Sequence, residues 1–310
     1  MAERGLLDLI ISRIPGIHPL EKLRLCKVCN READLILLSK KDIESILERK
    51  LSRYSWTMDE LCAQAEADAT AAASRGIGYV SFCEENYPPL LREIYDPPAL
   101  LFYRGKLPAG NRPLVAVVGT RKPSGAAAAQ AYRISRDFGR EGVVVISGLA
   151  LGIDALAHRG NLEGNAPTVA VLGAGLDGVY PASNRALARR ILENGGALLG
   201  EYPPGMPARK WHFPARNRII AGLARGVLVV EAPAVSGALI TARFALEQGR
   251  DLWVAQAGVN SILGEGCRNL ARDGAPVVGQ AEDILRDWGI AVKGETRDTI
   301  PAGIRGAVWR

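Results

Sequence analysis

The 310-residue chain has few groups with which to hold a metal or run redox chemistry, with five cysteines and three histidines in all. Cys26, Cys29, Cys62, Cys83 and Cys267 are odd in number and scattered. The single Cys26-Lys-Val-Cys29 pair lies in a Leu-rich helical context, without the second pair that would complete a zinc site. No run approaches the roughly 20 apolar residues of a membrane span. The first 14 residues carry acids and no cleavage-site pattern, so neither a span nor a signal peptide is expected, and the cytoplasm is the default location. GxxxxGK[ST] is also missing, which disfavours nucleotide hydrolysis of the P-loop type. No cofactor is expected.

With 48% hydrophobic and 23% charged residues, the chain has the composition of a globular protein large enough for a full core and more than one domain. Its net charge of +6 is unevenly placed. Residues 1–75 hold 12 cations and 12 anions, so the excess belongs wholly to 76–310, where 27 cations face 21 anions. A polyanion site is therefore expected on the C-terminal three-quarters. Thirty of the 39 cations are Arg, a bias that suits bidentate phosphate contact and also follows from a GC-rich genome.

Helical periodicity runs through 1–75: Leu6, Leu9 and Ile10, then Leu20, Leu23 and Leu25, then Ile43, Ile46 and Leu47, with Ser39 placed to cap a helix from near Lys41. Pro15-Gly16-Ile17 is half of a helix-hairpin-helix turn, but the second glycine is missing and the region is neutral. A small helical accessory domain over 1–75, SAM-like or helix-hairpin-helix-like, is the reading. Short strands follow at Tyr79–Phe82 and Leu100–Tyr103. From Pro113 apolar runs alternate with helical stretches: Leu114–Val118, Val143–Ile146, Val169–Leu172, Ala197–Leu199, Val227–Val230, Leu252–Ala255 and, more weakly, Pro276–Val278. Strands apolar on both faces predict an α/β fold, a Rossmann-like, doubly wound and mostly parallel sheet over 76–288. The tail 289–310 is too short for a winged-helix domain.

Ligands of such sheets bind beyond the carboxyl ends of the strands. There the first strand of the series gives Gly119-Thr-Arg121-Lys-Pro-Ser124-Gly125, a turn with two cations before a helix capped by Ser124, which suits an anion. A second small-residue turn is Ser147-Gly148-Leu-Ala-Leu-Gly-Ile-Asp154, and Ser236-Gly237 opens a third helix. Gly173-Ala-Gly175-Leu-Asp-Gly178 satisfies GxGxxG on a middle strand, but Val179-Tyr-Pro181 separates it from the helix, against a dinucleotide fingerprint. Asp154 and His158 stand one helical turn apart with no nucleophile, which suits structural hydrogen bonds.

Between Arg209 and Arg225 lie Lys210, Arg216 and Arg218, with Trp211, His212 and Phe213 interleaved and no acid. Cations for phosphates beside rings for bases is the pattern of a single-strand nucleic-acid groove. A solvated basic loop with an anchoring aromatic fits the same composition, and Phe213 suits either a stacking platform on that loop or a core anchor.

Taken in order, Val115–Arg121, Ser147–Asp154 with Ala157-His-Arg-Gly160, Val171–Asp177 with Tyr180-Pro181, Phe213-Pro-Ala-Arg-Asn-Arg-Ile219 and Ser236–Arg243 resemble the DNA-processing protein A (DprA/Smf) family over roughly residues 80 to 285. The resemblance implies a bacterial cytoplasmic protein that binds single-stranded DNA, dimerises and helps load the RecA recombinase during natural transformation. By motif it assigns phosphate binding to Arg121 and the basic and aromatic members of a DNA pocket to Lys210 and Phe213. Gly119, Ser147, Gly148, Arg216, Asn217, Arg218, Ser236 and Gly237 stand at the surrounding motif positions. Many members have Pro-Gly after the sixth strand, where this chain reads Gln256-Ala257-Gly258, and many carry a C-terminal winged-helix-like domain. An enzyme of another class remains as the alternative, a Rossmann-like nucleotide hydrolase using Glu201, Glu231 or Glu247. For a dimer contact the sequence offers Leu239, Ile240, Phe244, Ile262 and Leu263, which equally suit packing of helix on sheet.

Overall fold

The architecture, taken from a computed structural model that describes residues 2–51, 56–107 and 112–291, is built round one nine-stranded sheet. The strands are β1 (Gly78–Ser81), β2 (Leu100–Gly105), β3 (Leu114–Val118), β4 (Val144–Ser147), β5 (Val169–Leu172), β6 (Ala197–Gly200), β7 (Gly226–Val229), β8 (Asp251–Ala255) and β9 (Val277–Val278). Their spatial order is β1-β2-β6-β5-β4-β3-β7-β8-β9. Strands β3 to β9 run parallel, while β2 is antiparallel to both β1 and β6. Every predicted apolar run becomes a strand within a residue of its expected ends.

The runs are continuous rather than alternating because both faces are covered. On β3, Val115 and Val117 enter one core and Ala116 and Val118 the other. Five helices precede the sheet: α1 (Ala2–Arg13), α2 (Pro19–Val28), α3 (Glu32–Ile36), α4 (Lys40–Leu47) and α5 (Met58–Ser74). Its connections carry α6 (Pro89–Arg92), α7 (Gly125–Arg140), α8 (Ile153–Glu163), α9 (Arg185–Glu193), α10 (His212–Leu223), α11 (Gly237–Glu247), α12 (Gln256–Asn260), α13 (Glu265–Arg272) and α14 (Ala281–Asp287). Leu91, Ile219, Ile220, Leu223 and Ala242, from α6, α10 and α11, pack on the first face. Ile134 and Phe138 of α7 and Ile284 of α14 pack on the second.

The helices of 1–75 are not a detached bundle. Leu7, Ile10, Leu25 and Leu61 share one apolar cluster with Leu100, Phe102, Ala170 and Leu198 of the sheet and with Leu187 and Ile191 of α9. Ser39 caps α4, accepting from the Asp42 amide as its spacing predicts. At the Pro15-Gly16 turn, Gly16 has φ +73° and its carbonyl accepts from Arg49 Nη2 at 2.8 Å. After the sixth parallel-type strand end, Gln256-Ala257-Gly258 turns directly into α12, and the Ala257 amide donates to Gln130 Oε1 at 2.7 Å. Of the predicted tail 289–310, residues 292–310 lie outside the described residues.

Strands β3 and β7 are neighbours, yet α7 leaves β3 for one face and α11 leaves β7 for the other. Where successive connections part in this way, the carboxyl ends of the two strands open a crevice.

Candidate nucleic-acid interface

A cleft of about 700 Å³ fills that crevice. One wall is the β3–α7 turn with Gly119, Thr120, Arg121 and Lys122. The other is the turn before α11 with Pro233, Val235, Ser236 and Gly237, and Lys210, Phe213, Arg216 and Asn217 close the end. The β3–α7 turn is held from both sides, since the Thr120 amide donates to the Glu231 carbonyl at 2.8 Å and the Thr120 carbonyl accepts from the Ile153 amide at 3.2 Å. Ser124 caps α7 through the Ala127 amide, and its own N–H and O–H donate to the fully buried Glu231 carboxylate at 2.8 and 2.7 Å. Gly152, at φ +75°, backs onto this turn so closely that a Cβ would stand 2.4 Å from the Thr120 carbonyl oxygen. Only glycine meets both demands. Arg121 and Lys122 are left exposed at the mouth.

The basic aromatic segment is not the loop that its composition suggests: from His212 onward it is helix α10. Pro214 falls in the first turn, where amides lack intrahelical partners and proline costs nothing, and beyond it Ile219, Ile220 and Leu223 are all buried. The start of α10 is seated on the glycine-rich turn after β5. His212 Nδ1 donates to the Gly173 carbonyl at 3.1 Å, and its ring stacks on Tyr202 with centroids 3.9 Å apart. Burial pulls the His212 pKa below its ordinary value, so the ring is neutral at pH 7. Gly173 also approaches Phe213, to which its Cβ would stand at 3.3 Å, so the GxGxxG turn of this chain supports a helix start.

Two of the five cations of this segment, Arg216 and Arg218, point inward. Arg209 and Lys210 are exposed, Arg209 over the Trp211 ring at 5.5 Å and Lys210 on the cleft. Arg218 is buried on the far side of α10, donating to Asp96 Oδ2 at 3.0 Å and Glu201 Oε1 at 2.8 Å, and has no part in the cleft. Arg216 is buried beneath the cleft floor, where it donates to the carbonyls of Gly148, at 2.9 Å, and Val171. Burial lowers its pKa to about 10 against the pull of Asp154. Asp154 Oδ2 accepts from the amides of Gly148 and Ala150 at 3.1 and 3.3 Å, and burial raises its pKa. A Cβ on Gly148 would meet the Arg216 guanidinium at 2.4 Å and Asp154 Oδ2 at 2.7 Å, so this turn folds round the Arg216–Asp154 pair. His158 has the structural role its spacing suggested. Its Nδ1 donates to Thr168 Oγ1 at 2.7 Å, and burial lowers its pKa to about 3.

The cleft thus gathers Gly119, Arg121, Lys210, Phe213, Arg216, Asn217, Ser236 and Gly237 of the sequence-predicted positions. Asn217 Nδ2 donates to the Gly237 carbonyl at 3.1 Å, joining α10 to the start of α11. Ser147 lies outside the cleft, its Oγ donating to the Val117 carbonyl at 2.7 Å, and Gly148 lines a smaller recess beside it. Sequence reasoning missed Tyr180, which lines both. Its ring is 55% exposed and 5.6 Å from that of Phe213, while the Arg121 guanidinium carbon lies 5.9 Å from the Phe213 centroid. The available signal was an aromatic residue in the turn after a central strand, which the sequence shows both as an interruption of GxGxxG and within the Val171–Asp177, Tyr180-Pro181 motif, without a binding role assigned to it. The carboxylates considered for hydrolysis are already partnered: Glu231 with Ser124 behind the cleft wall, Glu201 with Arg218, and Glu247 with Arg243 at 3.4 Å. None of the three lines the cleft.

The family model of DNA recombination-mediator protein A matches residues 78–289. Protein Smf of Escherichia coli is 42% identical over 203 residues, 66% of this chain and 54% of that protein. The DNA processing protein DprA of Streptococcus pneumoniae is 44% identical over 208 residues, 67% of this chain and 73% of that protein. The X-ray structure of DprA from S. pneumoniae superposes with a TM-score of 0.73 at 36% identity, covering 92% of this chain and 97% of that one. A structure of DNA processing protein A from Helicobacter pylori, which concerns its single-stranded DNA binding mode, superposes with a TM-score of 0.60 at 28% identity over 68% and 95% of the two chains. With its sheet, its cleft and the matched span all lying within 78–289, the chain belongs to the DNA recombination-mediator protein A family.

Proposed function

We propose that the protein binds single-stranded DNA in the β3–β7 cleft, without catalysis, and mediates recombination by protecting that strand and helping to load RecA in the cytoplasm. The observation that carries the reading is the composition of the cleft. Arg121, Lys122 and Lys210 are free of acidic partners among the described residues, and they surround the rings of Phe213 and Tyr180. Cations that track a backbone beside rings that stack bases bind a single strand with little regard to sequence. That Glu201, Glu231 and Glu247 are all partnered and none of them lines the cleft favours a binder over a nucleotide hydrolase.

Fluorescence anisotropy with labelled oligonucleotides across a salt series tests this. Single strands should bind more tightly than duplex. Arg121→Ala and Lys210→Ala should each weaken binding to all sequences alike and flatten the slope of log affinity against log salt by about 0.7. Unchanged affinity in both variants overturns the reading.

Phe213 is half-buried, with Gly173 behind it and the cleft in front. Phe213→Ala should lower single-strand affinity by about 1–3 kcal/mol. Loss of thermal stability in step with the loss of binding would instead make the ring a structural anchor.

A homodimer is proposed as the working unit. Leu239 and Phe244 pack against the core of their own chain, whereas Ile262 and Leu263 are exposed, at 94% and 53%, and offer the apolar contact. Light scattering that shows a monomer at working concentration would exclude it.

A further inference from the structure

Outside the cleft, α9 combines a buried apolar side with an exposed cationic one. Its apolar side, Leu187, Ala188 and Ile191, is buried, and its outer side presents Arg185 and Arg189. Neither arginine forms an ion pair among the described residues. Positions i and i+4 of a helix are neighbours on one ridge, about 5–6 Å apart at Cβ, a spacing suited to successive phosphates of an extended strand. The start of α9 is also arranged in a way its own stability does not explain. Its first turn holds no acid and begins with a cation, against the sign favoured at a helix N-terminus, and Asn184 makes no capping hydrogen bond.

Asn184 instead reaches across to the cleft. Its Nδ2 donates to the carbonyls of Leu149 at 2.8 Å and Ala150 at 3.2 Å, and Ala150 lines the cleft together with Phe213 and Tyr180. The first arginine of α9 is thus tied to the cleft rim by its preceding residue. Between the cleft and α9 stands the exposed ring of Tyr180, followed by Pro181 and the single 3-10 turn Ala182–Asn184. A ring at the exit followed by two unpaired arginines on one ridge continues the alternation of stacking and charge found inside the cleft.

We propose that a bound single strand leaves the cleft over Tyr180 and runs along α9, with one base stacked on Tyr180 and the next phosphates held by Arg185 and Arg189. This rests on the single-strand reading of the cleft and adds a second binding segment to it. The chemistry recognised is a polynucleotide backbone longer than the cleft can hold.

The test compares an oligothymidylate short enough to fill the cleft alone with one about 20 nucleotides long, using the full chain. For the Arg185→Ala/Arg189→Ala variant the long strand should lose about 1.4 from its salt slope, at about 0.7 per contact, so that its loss of affinity between about 50 and 200 mM salt shrinks about sevenfold. Binding of the short strand should be unchanged. A Lys27→Ala/Lys41→Ala variant, which removes the same charge from the N-terminal helices, should leave both strands unaffected. Tyr180→Leu should weaken the long strand, with Tyr180→Phe restoring it. A wild-type protein that binds neither strand overturns the reading of the cleft along with this one. Binding of both with an unchanged long-strand slope in the arginine variant, or an equal loss in the lysine control, overturns the α9 segment alone.

Discussion

Arg216→Met is expected to cost the fold about 3–5 kcal/mol, the range for removing one partner from a buried charge pair. Arg216 stands at a family motif position within a basic segment, and composition alone would make it a phosphate ligand. Its guanidinium is instead enclosed, donating to the carbonyls of Gly148 and Val171 beside the buried Asp154. Methionine keeps the length but strands both carbonyls and leaves the Asp154 carboxylate without its cation. The deficit should also depend on pH. Burial gives Asp154 a folded-state pKa above its unfolded value, so between the two values the native state holds a proton that the unfolded chain has released. Stability from this group therefore falls as pH rises through that window. Losing Arg216 raises the folded value further, which makes the deficit smallest in acid and larger toward neutrality. Denaturant unfolding of the two proteins over a pH series measures this. A variant as stable as wild type but unable to bind DNA would return Arg216 to the role of direct ligand.

The second large effect is expected at Arg218, on the opposite side of α10. Arg218→Met should destabilise by about 3 kcal/mol, at the lower end of the range for a broken buried pair because Asp96 and Glu201 keep partial access to water. Single-strand affinity of the folded fraction should be unchanged, since the guanidinium faces away from the cleft. Adding Glu201→Gln should recover part of the loss by removing a carboxylate that the first substitution left unpaired. Two destabilisations that simply add would deny the coupling.

These two arginines mark where sequence reasoning reached its limit. The strands were legible because a sheet covered on both faces demands unbroken apolar runs such as Val169–Leu172, and Ser39, Ser124 and Ser236 announced the helices they cap. Arg121 and Lys210 were legible as surface cations because no partner is needed to explain them. The acids that neutralise Arg216 and Arg218 are Asp154, Asp96 and Glu201, all distant in sequence, and no local pattern joins them. The same concealment hid α10. With Pro214 and two arginines inside, its sequence lacks a polar and an apolar side, since it is buried nearly all round. The addition of β1 and β2 to the β6 edge is likewise a matter of pairing between remote segments.

The crevice also has a consequence in time. Its two walls follow β3 and β7, and those strands pair directly, Val115 against Gly226, although the whole β4–β6 series is synthesised between them. A nascent chain that has already emerged through β6 holds Arg121 on one wall with no second wall opposite it and, lacking β7, no Glu231 to anchor Ser124. Closing so distant a pair comes late in folding, so the two-walled cleft forms only after β7 has been synthesised and has paired with β3.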